Sequence, residues 1–97
     1  MTYSLEYMPE ALREWKKLDH SLKIQFYKKL EKRLDNPHVP KDKLSGYKNI
    51  YKIKLRSSGF RLAYEVKDEK IVVLVLSVGK RENNQVYKNL QKRKDED

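Results

Sequence analysis

The sequence predicts a small α+β fold: a mostly antiparallel four-stranded sheet with an N-terminal helical hairpin on one face and a short, marginal C-terminal helix, in the order β-α-α-β-β-β-α. Three observations carry this. Apolar residues recur at helical spacing between Pro9 and Asp35, and from Tyr51 they alternate instead. The run Ile71 to Val78 is then apolar at almost every position, as in a central strand covered on both faces. With 97 residues, one domain spanning 1–97 is expected.

The elements follow in order. Tyr3, Leu5 and Tyr7 alternate with polar neighbours, the period of a half-buried strand. Pro9 permits a helix start, after which Leu12, Trp15 and Leu18, with Ala11 beside them, form an apolar stripe. Asp19 and Ser21 are candidate caps for a second helix on Leu22, Phe26, Leu30 and Leu34, with Ile24 and Tyr27 on its flank, ending near Asn36-Pro37. A polar loop follows, with Leu44 as its anchor. Tyr51, Ile53 and Leu55 alternate with Lys52, Lys54 and Arg56, and after a turn the apolar set resumes as Phe60, Leu62, Tyr64 and Val66. A second turn around Lys67 to Lys70 leads into the central strand, which Gly79 ends. A last helix, capped near Asn83, offers only Val86, Tyr87 and Leu90, so it must lean on the sheet or on a partner. The terminal KDED is expected to fray, and the sheet face opposite the hairpin is expected to be open.

Composition narrows the function. Twenty-three Lys and Arg against 14 Asp and Glu give a net charge of +9, which favours polyanions or an acidic protein partner. There is no cysteine, so disulfides and thiolate sites are excluded. His20 and His38 lack metal-ligand spacing and read as surface or helix-boundary residues; no metal and no cofactor is expected. The N-terminus has no secretory pattern and IVVLVL is too short to span a bilayer, so the expectation is a cytoplasmic chain with no membrane partner.

Strand register sharpens the charge argument. With Ser57 and Ser58 as a two-residue loop, Arg56 pairs with Gly59, Lys54 with Arg61 and Lys52 with Ala63, while Leu55, Ile53 and Tyr51 meet Phe60, Leu62 and Tyr64. One face is then apolar and the other basic. Solvation alone would explain a charged face, but a like-charge pair such as Lys54 and Arg61 is destabilising by up to about 1 kcal/mol. Lys80 and Arg81 leave the adjoining strand nearby, and Tyr87 lies in the following helix. Cations beside an aromatic ring match what RNA needs: charge for phosphates and a surface for unstacked bases.

The stretches YKIKLRSSGFRLAYEV, VLSVGKREN and VYKNL, together with EALREWKKLD and KLSG, resemble the RelE family of toxins, within the wider RelE/ParE superfamily. The resemblance runs essentially end to end; only the KRKDED tail departs from it. It implies the toxin of a type II toxin-antitoxin system, an endoribonuclease that cuts mRNA in the ribosomal A site and halts translation. It also implies a RelB-type antitoxin as partner, whose extended segment wraps the toxin and can displace the C-terminal helix, and operator DNA bound only through the toxin-antitoxin complex.

Cleavage through a 2′-hydroxyl requires proton removal from that hydroxyl, stabilisation of the phosphorane and protonation of the leaving 5′ oxygen. The histidines lie away from the basic face, so the candidate catalytic set is Lys52, Lys54, Arg61, Arg81 and Tyr87, with Arg56 and Lys80 as RNA-binding residues. Arg61 and Lys52 suit charge stabilisation. Tyr87 and Lys54 compete for the base role: a phenol is a weak base unless cations surround it, and an amine crowded by Arg61 should lose its proton more easily. Arg81 is suited to neutralising the leaving oxygen, since a guanidinium is a poor literal proton donor. Two other readings stay open: a ParE-like inhibitor of DNA gyrase, and a non-catalytic RNA-binding or ribosome-binding module.

Overall fold

The computed structural model describes residues 2–80 and 85–95. Strand β1 (Ser4–Tyr7) leads into helices α1 (Pro9–Lys16) and α2 (His20–Asp35), then β2 (Ile50–Leu55), β3 (Phe60–Lys67), β4 (Val72–Lys80) and helix α3 (Gln85–Asp95). Short 3₁₀ turns occupy Pro40–Asp42 and Asp68–Lys70. The sheet order is β1-β4-β3-β2, antiparallel except that β1 runs parallel to β4. The expected α+β architecture is borne out. β4 is flanked on both sides, which accounts for its nearly continuous apolar run.

The hairpin α1–α2 covers one face. Phe26 and Leu30 of α2 and Ala11 of α1 are fully buried against Ile53, Leu62, Tyr64, Val73 and Val75. Each such large apolar side chain contributes about 1.5–3 kcal/mol. Trp15 bridges the layers, its ring 5.5 Å from Tyr7 and 6.2 Å from Phe26. Pro9 opens α1 as expected, whereas Asp19 stands at the start of α2 without a side-chain capping bond.

The opposite face is not open. Helix α3 lies on it: Val86 and Leu90 are buried, and Leu90 joins Ile50, Ala63 and Leu76 in a second cluster to which Leu44 adds from the loop. A bulge prepares this seat. Ala63 pairs with Ser77 and Tyr64 with Val75, leaving Leu76 as the extra residue of β4. Ser77 then donates from Oγ to the Val86 carbonyl at 2.8 Å. The expected cap near Asn83 lies outside the described residues.

A clasp holds the helix further along. Glu14 of α1 accepts from both terminal nitrogens of Arg93, at 2.9 and 3.0 Å, and from the Val78 backbone N–H at 3.1 Å. Arg93 also donates to the Leu76 carbonyl at 2.8 Å. His38, expected to be a boundary residue, faces the Tyr51 hydroxyl at 3.1 Å and Asp68 at 2.8 Å, tying the end of the α2 loop to the β3–β4 turn.

Candidate active site

The β2–β3 register places Lys54 opposite Arg61 and Lys52 opposite Ala63. The predicted pairs therefore form, with one correction. Residues 56–59 make a four-residue turn, closed by the Gly59 N–H donating to the Leu55 carbonyl at 3.0 Å, so Arg56 sits in the turn and is not paired with Gly59. The reason is local: Ser-Ser does not supply the positive φ of a two-residue hairpin turn, whereas Gly59, at φ +77°, does.

Arg61 connects the sheet to α3. Its partner across β3–β4 is Gly79, which leaves the space beside it open. The guanidinium crosses toward the helix, where Nη1 donates to the Tyr87 hydroxyl at 3.0 Å. The Arg61 carbon also lies 5.9 Å from the Tyr87 ring centre, a cation-aromatic contact. Tyr87 is thus fixed at the border between the part of the sheet that α3 covers and the part it leaves uncovered. Lys54 is exposed and Lys52 and Arg61 are partly so, consistent with access for a large substrate.

The electrostatics are one-sided. Lys52 is the foremost cause holding the Lys54 ammonium below its ordinary pKa, Arg61 the second, while Asp42 opposes them weakly. Arg61, the crowding charge expected from the register, thus matters less than the neighbour two positions along the same strand. A fraction of Lys54 is consequently available as a neutral amine at lower pH than an isolated lysine would allow.

Lys80 is not part of this cluster. It pairs with Phe60, and its ammonium stands 5.8 Å from the Phe60 ring centre, on the face that carries the helical hairpin. Arg81 lies outside the described residues. Arg33, by contrast, escaped sequence reasoning: it donates to the Lys52 carbonyl at 3.3 Å, to the Tyr64 hydroxyl at 2.8 Å and to Asp42 at 2.6 Å. It anchors β2 from behind, and one more cation on a lysine-rich helix carried no signal of that role. Among the described residues no group of His, Asp or Glu is arranged to hold a metal.

Comparison with known proteins shows the family. Residues 5–85 match the family described as the ParE toxin of type II toxin-antitoxin systems. The mRNA interferase toxin RelE of Escherichia coli K12 is 50% identical over 93 residues, covering 96% of this chain and 98% of the relative. A mutant of the E. coli toxin RelE in its free state superposes with a TM-score of 0.89 at 49% identity, over 96% of this chain and 98% of that one. The toxin in the intact E. coli RelBE toxin-antitoxin complex gives 0.80 at 51% identity, over 82% and 98%. The chain belongs to the RelE family of toxins, within the ParE toxin family of type II toxin-antitoxin systems.

Proposed function

We propose that this protein is a toxin that cleaves mRNA in the ribosomal A site, by attack of a 2′-hydroxyl on the adjacent phosphate. Its membership of the family, and 50% identity to an mRNA interferase over nearly its whole length, support endoribonuclease activity. The single observation that carries the chemistry is the Arg61–Tyr87 contact at 3.0 Å beside Lys54. That arrangement sets a cation, a phenol and an amine of lowered pKa around one exposed surface.

The roles follow from the chemistry. Lys54, as its neutral amine, takes the 2′-hydroxyl proton while the oxygen forms its bond to phosphorus. Arg61 and Lys52 face the negative charge that builds on the non-bridging oxygens, where fixed cations act most strongly. Tyr87 gives its proton toward the 5′ oxygen as the P–O bond breaks, the adjacent Arg61 guanidinium stabilising the charge left on the phenol. Arg81 neutralises the same leaving oxygen. These groups do not themselves bend RNA into line, so a scaffold that holds the codon in one geometry supplies much of the rate, and the ribosome is that scaffold.

An acidic antitoxin of RelB type is the expected partner: the related E. coli toxin forms a RelBE complex, and the charge here is +9. Operator DNA is reached through that complex alone, and the site of action is the cytoplasm. The deciding experiment is incubation of purified protein with a defined mRNA, free or on ribosomes with an empty A site, mapping cuts to the nucleotide. Cuts confined to the A-site codon and to programmed ribosomes are expected. Cleavage of neither RNA would shift the reading to gyrase inhibition or to a binding module.

A further inference from the structure

A second basic surface adjoins the candidate active site. A groove of about 360 Å³ runs along the outer edge of the sheet, between α2, the Pro40–Asp42 turn and β2. Lys29, Lys41 and Arg56 line it together with Lys52 and Lys54, so it opens into the Lys54–Arg61 face. Its floor is built. Arg33, one helical turn after Lys29, binds Asp42 at 2.6 Å and the Lys52 carbonyl at 3.3 Å, welding turn, helix and strand together. Those contacts also consume the charge of Asp42, the one acidic residue of the groove.

Among the described residues, none of Lys29, Lys41, Lys52, Lys54 and Arg56 is in an ion pair. Lysines on an edge strand commonly serve to block pairing with other chains, and Lys52 and Lys54 would serve that purpose. Lys29 and Lys41 are not on the strand, so edge protection does not account for them. Crowding is already felt at Lys54, whose ammonium is disfavoured by Lys52 and then by Arg61. The positive potential of so many cations lining one groove suits a polyanion.

We infer that the groove is a phosphate track for the substrate strand itself, Lys29 and Lys41 holding the backbone that flanks the phosphate to be cut. The inference deepens the proposed function and rests on its assignment of the basic face to RNA. A strand whose scissile phosphate lies at Lys54 and Arg61 has the Lys29–Lys41 groove as its uncompensated continuation.

The test is salt-dependent binding of fluorescent 2′-O-methyl single-stranded RNA, which cannot be cleaved, to the full chain and to a Lys29→Gln, Lys41→Gln variant. Two probes are needed, of about four and about twelve nucleotides, spanning the site sizes of single-strand grooves. On the long probe the slope of log K against log salt should fall by about 1.4 in magnitude, at about 0.7 per lost phosphate contact. The short probe, long enough only for the Lys54–Arg61 face, should bind both proteins alike. A Lys29→Arg, Lys41→Arg variant should keep the parent slope, showing that charge and not altered folding is read.

Equal slopes on the long probe would overturn the track, and so would an equal loss on both probes, which would place Lys29 and Lys41 at the same phosphates as Lys54. Loss of ribosome affinity without any change on the probes would assign the two lysines to ribosomal RNA and overturn it as well. Cleavage by the unaltered protein, run alongside, judges the reaction separately: no cleavage with the slope difference intact removes the reaction and leaves the track.

Discussion

Arg61 and Tyr87, 26 residues apart, meet at 3.0 Å, and that one hydrogen bond ties the basic strand pair to the helix packed over its neighbour. The guanidinium donates and the phenolic oxygen accepts, so the oxygen is oriented while its proton remains available to a substrate. The contact draws its precision from both sides: Gly79 leaves Arg61 room to cross β4, and Val86, buried just before Tyr87, fixes the turn of helix that presents the ring.

Replacing Tyr87 with Phe keeps the ring against Arg61 and removes only the hydroxyl. Proton transfer by a positioned side chain contributes typically about 10²- to 10⁴-fold, and a single-turnover rate on programmed ribosomes should fall by that order. Affinity for the same ribosomes should stay within about twofold, because ring and cation remain. A parent-like rate would take the hydroxyl out of the chemistry and return Tyr87 to a stacking role.

The pH dependence should report Lys54. Its lowered pKa means that the neutral amine accumulates as pH rises toward values below the ordinary 10.5, so the cleavage rate should climb with pH over that range. Lys52 is the foremost cause, so Lys52→Gln should move the rising limb to higher pH, apart from any loss of absolute rate. Nitrogen NMR titration of Lys54 in both proteins checks the direction without the reaction. A limb that stays in place, with the Lys54 titration moved, would assign the base to another group.

Much of this arrangement was legible in the sequence, and the reason is register. Alternation in 51–55 and 60–66 keeps both faces consistent only in registers related by even steps, and the short connection between the strands favours the one that sets Lys54 opposite Arg61. The placement of α3 was not legible. Its stripe of Val86, Tyr87 and Leu90 is too thin to announce a docking face, and the seat depends on a bulge at Leu76 and on Glu14, in a helix more than seventy residues earlier. The place of Lys80 was not legible for a related reason: charge and proximity in sequence put it with Arg81, but its pairing with Phe60 sends it to the hairpin face. Arg33 shows a different limit, since helical periodicity marks which residues face outward and says nothing of which one reaches a strand carbonyl.

Acid should act through Asp68. A hydrogen bond from Tyr3, at 2.7 Å, is the foremost cause holding its carboxyl below the ordinary 3.8, and contact with His38 is the second. The folded state therefore favours the carboxylate. Its stabilising contribution is complete above about pH 4 and is lost as pH falls through the lowered folded value. The same contact raises the Tyr3 pKa, so its alkaline counterpart is present below the ordinary 10.0 and lost as pH rises through the raised value. Asp68→Asn should lower the melting temperature near neutral pH and flatten its decline between about pH 5 and pH 2. An unchanged acid limb would mean that other carboxylates dominate the transition.

The Glu14–Arg93 clasp should govern activity from a distance. The pair is largely shielded, with side chains 24% and 12% exposed, and Arg93 spans both oxygens of Glu14 while also binding the Leu76 carbonyl. Arg93→Ala removes three charge-assisted hydrogen bonds and leaves Glu14 with Asn89 and the Val78 N–H, at an expected loss of about 1–3 kcal/mol. That loss should concentrate in α3, because β3 and β4 keep their own ladder and core. Hydrogen exchange of the amides of residues 86–90 should accelerate well before that of residues 72–78. Turnover should fall with little change in KM, since Tyr87 then spends less time on Arg61 while the Lys52–Lys54 surface is untouched. Arg93→Lys should restore little of it, because one ammonium cannot reproduce the two-pronged contact with Glu14 and also reach the carbonyl. Unchanged protection over residues 86–90 would show that the burial of Val86 and Leu90, with the Ser77–Val86, Arg61–Tyr87 and Lys94–Glu65 contacts, seats the helix without the clasp.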